Sequence, residues 1–255
     1  MSPWDLFKDG IFAVINWFYS WCGDWGLAII LITILFRILI YPITRKQFKS
    51  SYKMQKLQPK MKAIREKYQG DPQRQQQETA KLYQEAKFNP LSGCLPMLLQ
   101  MPIFIALYQV LLELQTRAGE GTVVTFLGVI ENLTLSPAAV YSEGGIIKVI
   151  PYVVLVLLFG VSMLIPMLVN KQTDKQTRVM MGVMSLVMIF FGWSAPAGVL
   201  LYWDASSLIG VGQQIGSRYF LEKKDERIAA STIDITPIKV EVDRKERKAR
   251  PRKKG

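Results

Sequence analysis

The chain contains no histidine and only two cysteines in 255 residues. Without histidine it lacks the side chain that most often serves as general base or metal ligand near neutral pH. Cys22 and Cys94 both stand in apolar surroundings, so packing is their expected role, and their spacing suggests neither a metal site nor a disulfide. No G-x-x-x-x-G-K-[ST] segment occurs, which removes the usual signature of nucleotide hydrolysis, and no cofactor is expected. Acids are few, 20 Asp and Glu against 32 Lys and Arg, for a net charge of +12. The amino end reads Met1-Ser-Pro-Trp-Asp5, with no basic stretch ahead of an apolar one, so no signal peptide is expected.

What the chain has in quantity is apolar sequence, 50% of its residues, gathered in blocks of about the length that crosses a bilayer as a helix. Five blocks stand out, at about 26–44, 94–113, 149–169, 179–194 and 197–216. The third holds no charge at all; the fourth is short and fits best where the bilayer is thin. Arg37 sits in the middle of the first. An arginine at mid-membrane costs about 3 kcal/mol, so its guanidinium must reach protein, water or a ligand. Arg37 lies about 16 Å of helix rise from the start of the run, which favours a polar cavity over a side chain snorkelling to the interface.

Lys and Arg orient the spans. Residues 1–24 carry one Lys against three Asp, a net of −2, whereas 45–88 carry twelve Lys/Arg against four acids, a net of +8. Residues 114–148 hold only Arg117 and Lys148 as cations, 170–178 hold three, and 217–255 hold thirteen against seven acids, a net of +6. The excess of cations on the cytoplasmic side predicts five spans with the amino end outside and the carboxyl end inside. The expected organisation is an outer interfacial helix (1–24), a first span (25–44), a cytoplasmic hairpin (45–93) and a second span (94–113). An outer loop (114–148), a third span (149–169), a short cytoplasmic loop (170–178), a fourth span (179–194), a fifth (195–216) and a basic, disordered tail (217–255) follow.

Phe7, Ile11, Val14, Phe18 and Trp21 recur at helical spacing, as in an amphipathic helix lying on a membrane surface. In the hairpin, Met54, Leu57, Met61, Ile64 and Tyr68 form a narrow 3-4 seam. Pro59 is placed to kink that helix, and Asp71-Pro72 starts a second one running to about Phe88, with Ala80, Tyr83 and Ala86 facing the first. So thin a stripe predicts a weakly anchored, mobile arm.

Several motifs occur in order: Asp24-Trp-Gly-Leu-Ala-Ile-Ile-Leu31, Arg37 with Tyr41-Pro42-Ile-Thr44, and Leu57-Gln-Pro-Lys60. Asn89-Pro-Leu-Ser-Gly-Cys-Leu-Pro96 with Gln100-Met-Pro102-Ile-Phe104, and Pro196-Ala-Gly-Val-Leu-Leu-Tyr-Trp203 with Gln213-Gln214, complete the set. Over about residues 20–216 the chain resembles the YidC/Oxa/Alb membrane insertases, in their bacterial form. The resemblance implies an all-α polytopic protein of the bacterial plasma membrane, with five transmembrane helices around a hydrophilic groove and a cytoplasmic helical hairpin. It implies an ATP-independent insertase and folding helper, not an enzyme, whose partners are nascent membrane proteins and the lipid bilayer. The ribosome, through the basic run 243–254, and the Sec translocon are further expected partners; DNA is not. Arg37 takes the place of the groove arginine and Thr33 that of a groove threonine, while Phe104, Met163 and Trp203 fall where substrate-contacting side chains lie.

The chain departs from the family pattern after Trp203, where Asp204 replaces an apolar residue and Ser207 an amide. No large outer domain or lipoprotein signal is expected. Asp204 either partly neutralises Arg37 in the resting groove or points to the outer interface. The competing function is a small ion-coupled transporter that uses Arg37 and Asp204 as an intramembrane pair.

Overall fold

The computed structural model describes residues 2–89, 95–119, 122–165 and 175–232, and among these the regular elements are helices, with a single isolated bridge between Phe126 and Ile130. Pro90 to Cys94 of the Asn89–Pro96 motif, most of the 170–178 loop and the tail from 233 on lie outside the described residues.

Helix α1 (Pro3–Cys22) is capped by Ser2 and ends at Gly23, whose positive φ closes the helix. Asp24 then caps α2 (Trp25–Leu39) by accepting from the Leu27 amide. Ile11 and Ile15 bury one face of α1 against α2 and α5 (Leu95–Leu112), while Phe7 and Trp21 of the same apolar stripe are exposed. Polar contacts fix its register: Trp4 donates to Gln109 at 2.8 Å, and Arg117 bridges Asp9 at 2.7 Å and Glu113 at 2.8 Å.

The first apolar block is not one straight helix to Thr44. It breaks at Ile40, where α3 (Tyr41–Lys67) leaves α2 at 66°. Pro42 has no N–H to offer the carbonyl of Ile38, and the next turn bonds back to Ile40 instead. α3 passes through Pro59 as one helix; the proline is exposed and crowds no packed neighbour. α4 (Pro72–Glu85), capped by Asp71, folds back on α3. The seam faces inward as read, with Met61 buried, but α4 meets it through Leu82 and not Ala80, which is exposed. The stripe includes Gln75, Thr79, Leu82 and Ala86, and Tyr83 donates to Met61 Sδ at 3.5 Å, so Tyr83 and Ala86 face the first helix as expected and Ala80 does not.

The loop expected on the outer side is structured. After α6 (Leu114–Ala118), residues 122–136 thread between the starts of α2 and the last helix. The Gly26 amide donates to Thr125, Leu127 donates to the second Asp24 oxygen, and the Ala197 and Gly198 amides donate to Leu135 and Leu133. α7 (Pro137–Ser162) begins twelve residues before the expected third span and is interrupted at Gly145, where φ is 71°. Tyr152 on α7 exchanges two hydrogen bonds with the backbone of Asn132. The amino ends of α2 and the last helix, and α7 near its own start, are thereby fastened to one loop.

α8 (Lys175–Ser194) packs along α7. Gly160 lets Ile189 close in, and Ser185 donates to the Gly160 carbonyl at 2.7 Å. α9 (Ala197–Thr232) is 36 residues, about 54 Å long, and overruns the expected fifth span into the tail. Residues 217–232 are helical because they are strong helix formers and are braced, with Arg218 bridging Glu222. Asp225 accepts from Tyr52 at 3.0 Å and pairs with Lys56, so the root of the hairpin is tied to α9.

By length and composition α7 alone among the described helices is long and apolar enough to cross a bilayer, and α2 with α3 passes as a bent pair. The apolar stretches of α5 (Gln100–Leu112) and α8 (Arg178–Ser194) are shorter. α9 falls outside that group because Asp204, Ser206, Ser207, Gln213 and Gln214 interrupt its apolar sequence.

Candidate functional site

α2 and α9 start from the same loop and run side by side, which sets Arg37 level with the second and third turns of α9. The Arg37 guanidinium turns toward α9. Nε and Nη2 both donate to the Ser206 hydroxyl, at 2.9 and 2.7 Å. Gly210, one turn further, makes this possible: a Cβ there would lie 3.0 Å from Nη1 and 3.2 Å from Cζ. Below it, the Gln213 amide donates to the Arg37 carbonyl at 3.3 Å. Ser206, Gly210 and Gln213 therefore form one stripe, spaced four and three residues, against α2.

Arg37 is half-buried, and no carboxylate among the described residues pairs with it. It lines a narrow cleft with Thr33, Gln100, Ile103, Tyr202 and Ser206. Thr33 is 1% exposed and donates to its own helix at the Ile29 carbonyl. Gln100 donates to the Tyr202 hydroxyl and so joins α5 to the group. The cleft is too narrow to admit a water. Its volume is about 190 Å³, counted up to the open side.

Beside the cleft lies an aromatic cluster. Trp203 meets Phe104 edge-on at 5.5 Å and Phe159 at 5.3 Å, and Phe104 lies 6.4 Å from Tyr202. The structure thus brings Arg37 and Thr33 into one cleft and Phe104 and Trp203 into the adjoining cluster. Met163 stands apart from both, just past the carboxyl end of α7, donating its amide to Gly160.

Asp204 does not pair with Arg37. Two residues apart on a helix means about 200° around it, so with Ser206 on the arginine, Asp204 must face elsewhere. It lies one turn beyond Leu200, which touches Gly192 of α8, and so belongs to the face turned toward α7 and α8. Asp204 is 5% exposed, and neither carboxylate oxygen has a hydrogen-bond partner among the described residues. The Trp203 indole N–H is likewise buried and unpartnered.

Ser206, Gly210 and Phe159 were not singled out from the sequence. The signal for the first two was present: a small or polar residue every three to four positions along an otherwise apolar helix. Phe159 has no such mark within the uniformly apolar α7.

The family profile described as "60Kd inner membrane protein" matches residues 17–224. The chain is 41% identical over 223 residues to the "Membrane protein insertase YidC" of Haemophilus influenzae, covering 87% of this chain and 38% of that protein. It is 35% identical over 227 residues to that of Wolinella succinogenes, covering 88% and 39%. It therefore spans about two-fifths of the length of these curated relatives. Among solved structures it is similar to an active YidC insertase crystal structure with the first transmembrane domain resolved. The TM-score is 0.65 at 30% identity, covering 83% of this chain and 46% of that one. The cleft around Arg37 is thus built on a shared multi-pass inner-membrane scaffold, and the chain belongs to the YidC/Oxa family.

Proposed function

We propose that the chain inserts and folds other membrane proteins, without nucleotide, through a groove marked by Arg37. The observation that carries this reading is a half-buried guanidinium held by a single neutral hydroxyl, with no carboxylate partner among the described residues. A permanent charge in apolar surroundings is costly. Ser206 relieves that cost in part and leaves the charge itself available to an acidic segment of a client.

The physical task is to carry a short polar segment of a nascent protein across an oily layer. Opening of the cleft between α2, α5 and α9 would wet Arg37 and shorten the unsolvated distance. Thr33 then lends hydroxyl contacts, and Phe104 and Trp203 offer an apolar wall along which the client helix moves to lipid. At about −0.5 kcal/mol per central Leu or Ile, twenty such residues supply about −10 kcal/mol, enough to drive release without ATP. No covalent bond changes, so the protein is not an enzyme in this reading. Five spans, an outward amino end, a cytoplasmic carboxyl end and bacterial plasma-membrane placement belong to the proposal. So do contacts of the tail with the ribosome and cooperation with a Sec translocon. Met163 and Asp204 stand outside the proposed client path. The transporter reading is not favoured, since its Arg37–Asp204 pair is absent.

The test is reconstitution of the purified chain in liposomes with a single-span client and no nucleotide. Protease protection of the client's translocated tail supports the reading; protection no greater than in empty liposomes overturns it.

A further inference from the structure

α9 is fastened to the end of α2 above and to α3 below, and stands open between the two ties. The upper fastening is Gln213 on the Arg37 carbonyl, at 3.3 Å. The lower is Asp225 with Tyr52 and Lys56. Between them the 66° bend at Ile40 swings the chain off α9, and Gly212 and Gly216 leave the gap unfilled; a Cβ at either position would meet nothing within 4 Å. The result is a window of about 420 Å³, bordered by Ile38, Tyr41, Gln213, Ser217 and Phe220.

The walls of this window differ in character. Ile38 and Phe220, 62% and 73% exposed, form an apolar rim. Behind them Ser217 is 8% exposed, and its hydroxyl and the Gln213 carbonyl oxygen have no hydrogen-bond partner among the described residues. Buried polar atoms are rarely left so, and both residues border the cavity. On α3, Tyr41 lines the window and Tyr52 and Lys56 touch α9, so the stripe at every third or fourth residue between them faces the same way. Arg45 lies on it, exposed, and Lys49 adjoins it. From Arg45 to Lys56 the chain carries five cations and no acid.

We propose that this window seats an anionic glycerophospholipid. Arg45 and Lys49 take the phosphate, Ser217 donates to a phosphate or ester oxygen, and Gln213 accepts from a headgroup hydroxyl. The acyl chains leave past Ile38 and Phe220 into the bilayer. A cationic edge, a polar back wall and an apolar rim at one end of the membrane-crossing helices is the combination such a lipid requires. The assignment rests on the membrane placement given under Proposed function, not on the fate of clients.

The test uses native mass spectrometry of the purified full chain in detergent, with equal amounts of phosphatidylglycerol and phosphatidylcholine of identical acyl chains. Wild type is expected to retain phosphatidylglycerol preferentially, and Arg45→Gln to lower that preference about fivefold, as befits one surface cation. Gly216→Leu, which has room for its side chain, is expected to bring retention of the two lipids to parity; Ser217→Ala serves where that variant folds poorly. Equal retention of both lipids by wild type overturns the inference, as does a photoreactive residue at 216 that captures nascent client and no lipid. Client insertion measured on the same preparation keeps the two proposals apart: insertion without lipid preference sinks only this one, and lipid preference without insertion sinks only the insertase.

Discussion

Replacing Ser206 with alanine is expected to weaken the resting protein and strengthen its hold on acidic clients. In the resting state one hydroxyl accepts two N–H bonds from Arg37, at 2.9 and 2.7 Å, and is itself only 6% exposed. Hydrogen bonds to a charged group are worth about 1.5–3 kcal/mol, and alanine returns about 0.5 kcal/mol of helix propensity, so a loss of about 1–2.5 kcal/mol is expected. The guanidinium that loses Ser206 no longer has to give up a partner when a client carboxylate arrives. The same free energy therefore reappears as affinity, about tenfold at 1.4 kcal/mol. Thermal unfolding in detergent reads the first quantity. Photocrosslinking from a probe beside the acidic residues of a stalled client reads the second. If the variant unfolds and crosslinks as wild type does, Ser206 is not the resting partner of Arg37 and the competition argument fails.

Arg37→Ala is expected to impair insertion of clients with acidic translocated tails more than neutral ones, and Arg37→Lys to recover part of the difference; equal insertion of both client sets by the alanine variant refutes the electrostatic role. Asp204→Leu is expected to raise the unfolding temperature, because a buried carboxylate without partners costs about 1–3 kcal/mol that leucine does not; a lower unfolding temperature would reveal a partner for Asp204. Gly26→Val is expected to destabilise by about 1–3 kcal/mol through overpacking, since a Cβ there falls 2.2 Å from Phe126, and protease sensitivity of the 122–136 loop reads the change. The Asp225 tie is expected to hold over a broad pH range and loosen at both ends. Its hydrogen bonds from Lys56 and Tyr52 hold the Asp225 carboxyl below its ordinary pKa, so its contribution is full above about pH 4 and is lost as pH falls through the lowered value. Lys56, raised by the same hydrogen bond, and Tyr52, raised by burial and then by Asp225, contribute fully below about pH 10 and lose their contribution as pH rises through their raised values. Distance measurements between spin labels on α4 and the end of α9 follow the release.

The helices were legible where one physical rule acted alone. Asp24 before an apolar run, Asp71-Pro72 after a glycine, and a 3-4 seam through Met61 each fix an element locally, and α2, α4 and the hairpin follow from them. Misreadings arose where a second contact decides. Apolar spacing marks the stripe from Phe7 to Trp21 on α1 as membrane-facing, but not that Ile11 and Ile15 pack against α2 and α5, where Arg117 with Asp9 and Trp4 with Gln109 hold the helix. Hydropathy ended the fifth span near 216, yet α9 continues because Asp225 finds Lys56 and Tyr52 on a helix 169 and more residues away in sequence. Neither partner is visible from the segment it stabilises.

Arg37 itself was legible because its cost in an apolar run is large and local; its partner was not, because the choice between Asp204 and Ser206 is one of angle. Both lie within a long side chain's reach in depth, and charge favours the aspartate. On α9, however, the register is set by Gly198 and Ala197 donating to the 122–136 loop and by Gly210 admitting the guanidinium. Those two constraints turn Ser206 toward α2 and Asp204 toward α7 and α8, and a 200° separation leaves no rotamer that reaches back. The outcome separates the two side chains by the body of a helix. Under the proposed function, a neutral hydroxyl is the partner that a client acid would displace, whereas an ion pair at the same place would resist it.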